Sequence, residues 1–168
     1  MILDYLKMYA QKAYREIHSL TTSPAFLFAN DPELREREFY YNYFYIYGFN
    51  RLIKHNRIPS DKLIEAFTHT EEAIERYLRT YYQAKNFIFY LKADALIPAF
   101  TVTVVSYYED EEAKENYSLL ELVDWYTEKA CFDGLKIIED GTGEEHEEAE
   151  DEDKLPVTAK IYAKMIRT

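Results

Sequence analysis

Along the first hundred residues the apolar positions fall at helical spacing. Leu3, Leu6, Ala10, Ala13, Ile17 and Leu20 recur three and four apart, which predicts a first helix with one apolar stripe. Thr21-Thr22-Ser23-Pro24 ends it. Asp31-Pro32-Glu33 then carries helix-start chemistry: an aspartate cap, proline at the first helical position and a carboxylate in the first turn. A second helix is expected from there to about Asn56, bent at Gly48, and its middle from Phe39 to Tyr47 is aromatic on every side. Pro59-Ser60-Asp61 opens a third helical stretch through Phe67. Thr68-His69-Thr70-Glu71 has the form of a capping box and marks a place for a break and restart. Ile74, Leu78, Tyr81, Ile88, Leu91 and Ala95 then keep helical period to the neighbourhood of Pro98. Two long helices joined by the short 56–60 connection are expected to pack as an antiparallel pair.

The texture changes at Phe100. Phe100-Thr101-Val102-Thr103-Val104-Val105-Ser106-Tyr107-Tyr108 is β-branched and aromatic and reads as a strand. Ser118-Leu119-Leu120-Glu121 is a capping box that introduces an amphipathic helix to about Ala130. Leu135 to Glu139 alternates like a short strand, and Val157 to Met165 alternates too. A helix also fits the last segment, since Val157, Ile161 and Met165 lie four apart; the strand reading is preferred because two lone strands need a third. The expected fold class is α+β in a single domain over 1–168. Antiparallel helices in a helical half, 1–97, pack with a small C-terminal sheet and one further helix in the half 98–168.

Composition agrees with a folded chain: 48% hydrophobic and 30% charged residues can build a core in 168 residues without metal or disulfide support. The lone cysteine, Cys131, has no partner for an internal disulfide and points to a reducing compartment. Met1 to Lys7 lacks the basic-then-apolar pattern of a secretory leader, and no run approaches the roughly 18 apolar residues of a membrane span. A cytoplasmic location is expected.

Charge alters the picture more. Met1 to Tyr108 holds 12 acidic and 13 basic residues, whereas Glu109 to Thr168 holds 19 acidic and 7 basic. The net charge of −11 therefore lies almost wholly after residue 108. Two runs carry most of it: Glu109, Asp110, Glu111 and Glu112, and then Glu139, Asp140, Glu144, Glu145, Glu147, Glu148, Glu150, Asp151, Glu152 and Asp153. Glu121, Asp124 and Glu128 of the helix between them add to it. Segregated charge of one sign marks an interaction segment, and this sign disfavours nucleic acid and anionic membrane as direct ligands. A solvated loop that keeps a tyrosine-rich chain soluble is the plainer account of the same residues.

Catalytic and metal chemistry find no pattern. None of His18, His55, His69 and His146 follows a glutamate by three positions, as paired di-metal sites require, and Glu72 and Glu75 alone read as a solvated helix face. The 139–153 run lacks the alternating aspartates of a calcium loop, and Gly141-Thr142-Gly143 is no phosphate loop. Glu128 and Asp133 near Cys131 raise its thiol pKa, which favours a core cysteine over a nucleophile. Neither an enzyme nor a cofactor is expected. Seventeen tyrosines and ten phenylalanines are many for this length. A/T-rich coding explains them as a group; the rings of Tyr40, Tyr41, Tyr43, Tyr45 and Tyr47 also suit self-association and a homodimer.

A small, acidic, tyrosine-rich, cysteine-poor chain with no enzyme motif resembles the phage-encoded host-takeover proteins that inhibit the bacterial sliding clamp; the likeness lies in length and composition across the whole chain. It implies a DNA-mimicking protein that sits in the clamp's basic central channel and blocks its loading onto DNA, halting replication. The carboxylates of 109–112 and 139–153 would then face the channel's basic residues. Ordinary clamp ligands instead dock a short Gln-containing motif with terminal aromatics in a hydrophobic groove. The nearest approach, Gln83-Ala84-Lys85-Asn86-Phe87-Ile88-Phe89, lacks the aliphatic residue and lies in an expected helix, so channel binding by charge is the compatible mode.

Overall fold

A computed structural model describes residues 2–22, 24–55, 58–94, 99–108, 117–130 and 159–168 of the chain. Helix α1 (Ile2–Thr22) forms where the apolar stripe predicted it, with Ala13 and Leu20 buried, although Ala10 faces solvent. The chain turns at Asp31, whose Oδ1 accepts a hydrogen bond from the Glu33 N–H at 3.0 Å, and enters a single 3-10 turn (Pro32–Leu34). Helix α2 follows for only seven residues, Arg35–Tyr41.

Here the structure departs from the long second helix expected to Asn56. Tyr43–Tyr47 is a strand, β1, and Gly48 separates it from a short helix α3 (Phe49–Lys54). The reason is local. Tyr, Phe and Ile favour a pleated, half-buried surface, and in this pleat Ile46 and Phe44 turn inward while the tyrosines turn away. Gly48 takes φ +103°, and a Cβ there would stand 2.6 Å from the Tyr9 carbonyl oxygen, so the close passage of α1 demands glycine.

Helix α4 (Ser60–Tyr81) runs without the break that Thr68–Glu71 suggested. Glu71, the carboxylate that the box would use to cap a new helix, is drawn to the sheet instead, where it accepts from the Tyr162 hydroxyl; Thr70 donates within the helix to the Ala66 carbonyl at 2.8 Å. The second correction comes after Tyr82. Helical period was expected to continue to Ala95, but Asn86–Asp94 is strand β2. Phe87, Phe89 and Leu91 alternate with Ile88, Tyr90 and Lys92, and β2 pairs on both sides. Residues 1–97 are thus not wholly helical. Strand β3 (Ala99–Ser106) and strand β4 (Ala159–Arg167) form as the sequence indicated, and between them in the chain comes α5 (Leu119–Trp125), continued by a π-helical turn to Ala130. The Ser118–Glu121 capping box is present in both halves. The expected strand at Leu135–Glu139, Cys131 and the glycines at 141 and 143 lie outside the described residues.

The sheet has the order β1-β3-β2-β4, antiparallel throughout, and the fold class is α+β. From β1 onward the order is strand, helices α3 and α4, strands β2 and β3, helix α5 and strand β4. β1 and β2 run in one direction with β3 between them, and β3 and β4 run together with β2 between them.

One face of the sheet is covered. Phe100, Val102 and Val104 of β3, Phe87, Phe89 and Leu91 of β2, Ile46 of β1 and Ile166 of β4 meet Leu63, Phe67, Ile74 and Leu78 of α4 and Leu122 and Val123 of α5 in one core. Phe100 stands at its centre, 4.6 Å from the Phe67 ring and 4.3 Å from the Tyr126 ring. Two buried polar side chains close its margin. Asn42 is fully buried; its Oδ1 accepts from the Leu27 N–H, and its Nδ2 donates to the carbonyls of Leu27 and Val104. Glu38 accepts from the N–H groups of Ala29 (2.6 Å) and Ser106 (2.8 Å) and from the Ser106 hydroxyl (3.1 Å). Together they tie the segment 27–29 and α2 to β3.

Candidate functional site

The acidic partner residues inferred from the sequence, Glu109 to Glu112 and Glu139 to Asp153, lie outside the described residues. What the structure does place is the helix between the two runs. α5 and the π-helical turn that continues it bury Leu122, Val123, Trp125 and Tyr126 and leave Glu121, Asp124 and Glu128 exposed. Glu121 is held by its cap: its carboxylate accepts from the Ser118 N–H and hydroxyl, both at 2.8 Å, which lowers its pKa below the ordinary value. Asp124 and Glu128 are therefore the carboxylates of this helix with no capping duty.

The five tyrosines fall on two elements and not on one helix. Tyr40 and Tyr41 end α2 and are 70% and 60% exposed. Tyr43, Tyr45 and Tyr47 share the outer side of β1, the edge strand, with ring centroids 5.1 Å apart for the first pair and 5.5 Å for the second. The Lys12 ammonium sits over the Tyr47 ring at 4.6 Å. The Tyr47 N–H donates to Glu16 of α1 at 2.5 Å. Burial raises the Glu16 pKa, opposed by that hydrogen bond and by Lys12. A carboxylate laid on the edge in this way occupies one backbone donor that a second strand would need.

These tyrosines belong to a larger surface, the face of the sheet turned away from the core. The register builds rows across it: Tyr43, Thr103, Tyr90 and Ala163, and beside that Tyr45, Thr101, Lys92 and Ile161. Ile88, Val105 and Ala163 form a small apolar cluster here, with Tyr90 and Tyr107 against it. Arg35 and Phe39 of α2 border it. Burial raises the Tyr90 pKa, partly offset by the Arg35 guanidinium and its hydrogen bond to the Tyr90 hydroxyl. The sequence reading missed this face. Its signal was the alternation of Thr101 and Thr103 with Phe100, Val102 and Val104, small polar residues on one side of a central strand.

A charged cluster joins α4 to β4 on the covered side. Buried Glu71 accepts from the Tyr162 hydroxyl at 2.6 Å and from Lys164 at 2.5 Å; Glu75 accepts from Lys164 at 3.1 Å and from Arg79 at 2.7 Å. Burial and the bond to Glu71 push the Tyr162 pKa far up. Burial opposes ionisation of Glu75, but Lys164 and Arg79 outweigh it and hold its carboxyl below the ordinary value. Both carboxylates are thus committed to cations or a hydroxyl, which is a structural clamp. Glu72 is exposed, and among the described residues no group of three ligating side chains converges. The clamp-like motif at 83–89 enters β2, with Phe87 and Phe89 in the core, where neither ring can reach a partner's groove. Among the described residues no helix is long and apolar enough to cross a membrane.

No protein family, curated protein or solved structure matches the chain.

Proposed function

We propose that the protein is an inhibitory binding protein whose acidic C-terminal region mimics the charge of DNA and occupies the basic DNA channel of a host protein. The bacterial sliding clamp is the partner suggested by the resemblance of the chain to phage clamp inhibitors. The observation that carries the reading is the segregation of charge, 19 acidic against 7 basic residues after Tyr108. The exposure of Asp124 on α5 and of Glu128 on the turn that continues it, flanked in sequence by both acidic runs, is consistent with it. A surface of this sign attracts a lysine- and arginine-lined channel at long range and repels nucleic acid.

The test is binding of the full chain to purified sliding clamp, measured by surface plasmon resonance over a range of salt, with DNA loading followed in parallel. Affinity should fall steeply as ionic strength rises, and replacing the carboxylates of 139–153 by Gln and Asn should abolish both binding and inhibition. Binding unchanged by that neutralisation rejects the acidic-run mechanism.

A second reading is favoured by one observation: Tyr40, Tyr41 and Tyr45 are exposed beside an edge strand. Such an edge supports self-association through aromatic contact, the acid then serving solubility alone. Sedimentation equilibrium separates the two. A dimer dispersed by Tyr41→Ser and Tyr45→Ser, in a protein that ignores the clamp, selects this reading.

A further inference from the structure

On the open face of the sheet, Thr101 and Thr103 of β3 line a cavity of about 400 Å³. Both residues are 2% exposed, and neither hydroxyl has a hydrogen-bond partner. Buried hydroxyls are almost always paired, and leaving two unpaired at neighbouring positions on one face of a central strand costs stability. Valine would fill the same pleat at no such cost, and β3 uses valine at 102, 104 and 105. Two orphan hydroxyls at the floor of a cavity therefore point to something that bonds them.

The walls say what shape it has. Thr103 lies between Tyr43 on β1 and Tyr90 on β2. Strands two places apart in a sheet are separated by about 9.5 Å. A flat ring in contact with an aromatic face on each side needs about 7 Å between those faces. The ring partners of Tyr43 are Phe39 and Tyr45, so its side toward Tyr90 is not taken up by a neighbouring ring. That strand spacing admits one flat ring between Tyr43 and Tyr90, with Phe39 lining the α2 end.

Charge narrows the class. Arg35 and Lys92 at the rim are matched by Glu36 and Asp94, the Lys92–Asp94 pair standing at 2.9 Å. A balanced rim selects neither a strong anion nor a cation. The ligand that fits is planar, uncharged and heteroaromatic, with donors and acceptors along one edge, and the cavity falls in the size range of small-molecule sites. We propose that this slot binds a nucleoside, the base between Tyr43 and Tyr90 with its polar edge against the hydroxyls of Thr101 and Thr103. Lys92, which also lines the cavity and pairs with Asp94 at 2.9 Å, must give way for the base to reach the two buried hydroxyls. This site is independent of the acidic surface and stands whether or not a clamp is the partner.

The experiment is a titration of the full-length protein with adenosine, guanosine, cytidine and uridine, followed by NMR, with ribose as the control. At least one nucleoside should saturate and move the ring signals of Tyr43 and Tyr90, while ribose moves neither. Its 5′-monophosphate should bind no tighter, because the rim is neutral. Thr103→Val should weaken binding about tenfold while the unliganded variant melts higher than the parent; Thr103→Ser should keep the affinity. Tyr43→Leu, on the edge strand, should lose binding and stay folded. Absence of saturation by all four nucleosides overturns the proposal, as does parental affinity in either Thr103→Val or Tyr43→Leu.

Discussion

The two faces of the four-stranded sheet are buried by different means. Strand β3 supplies both, and all eight of its residues are buried. Toward the helices it presents Phe100, Val102 and Val104, packed ring to ring and methyl to methyl, and the polar groups at that face's margin are satisfied: Glu38, Asn42 and Glu71 each accept or donate several hydrogen bonds. Toward the other side it presents Thr101 and Thr103, equally buried but unbonded. The covered face is therefore where stability resides. The open face keeps polar groups in reserve at a cost to stability, as binding surfaces do.

The comparison breaks most visibly if the wrong face proves to hold the fold. Phe100→Ala removes a ring that touches Phe49, Phe67 and Tyr126, and should cost about 3–5 kcal/mol in urea unfolding. Tyr45→Ala, on the open side of the edge strand and 41% exposed, should cost less than about 1 kcal/mol. Equal losses at the two positions would refute the division.

A smaller effect tests the polar margin. Glu71→Ala leaves the Tyr162 hydroxyl and one Lys164 bond without their acceptor; with Lys164 partly exposed, the loss should be about 2 kcal/mol. The same clamp gives a pH dependence. The folded pKa of Glu75 is depressed below its ordinary 4.5, so its contribution is present above that value and disappears as the pH falls through the folded pKa. Lys164→Met should be less stable than the parent at neutral pH, and the gap should narrow below pH 4.5 in thermal melts. On the alkaline side Tyr162, with its raised pKa, should be among the last tyrosines to ionise, a step missing from the ultraviolet titration of Tyr162→Phe.

The two faces were also unequally legible. Wherever apolar and polar residues alternate or recur cleanly, the sequence announced the element: the stripe of α1, the Ser118–Glu121 box, the β-branched run of β3 and the alternation of β4. It failed at β1 and β2 for one physical reason. Tyr43–Tyr47 and Phe87–Leu91 carry apolar or aromatic side chains on both faces, so they read as continuous apolar runs in which period 2 and period 3.6 cannot be told apart. Their aromatic enrichment and short length were the arbiters available. The open face followed from neither strand alone, because the row Tyr43, Thr103, Tyr90 exists only through pairing of residues sixty and thirteen positions apart. The acidic runs were the most conspicuous feature of the sequence, yet the function proposed for them rests on charge and not on any placed side chain.

The smallest expected effect is the most discriminating. Thr101→Val keeps the shape and β preference of the side chain and removes only the orphan hydroxyl. On the covered face a swap between a bonded polar group and an apolar one costs stability, because it strands the partner. At Thr101 there is no partner to strand, so the sign reverses and the variant should gain up to about 1 kcal/mol in urea unfolding. Thr101 and Thr103 flank Val102 on one strand, so the double variant need not be additive, but it should exceed either single change. Destabilisation by both single substitutions would mean that the hydroxyls are satisfied in solution, and the open face would then be built on the same terms as the covered one.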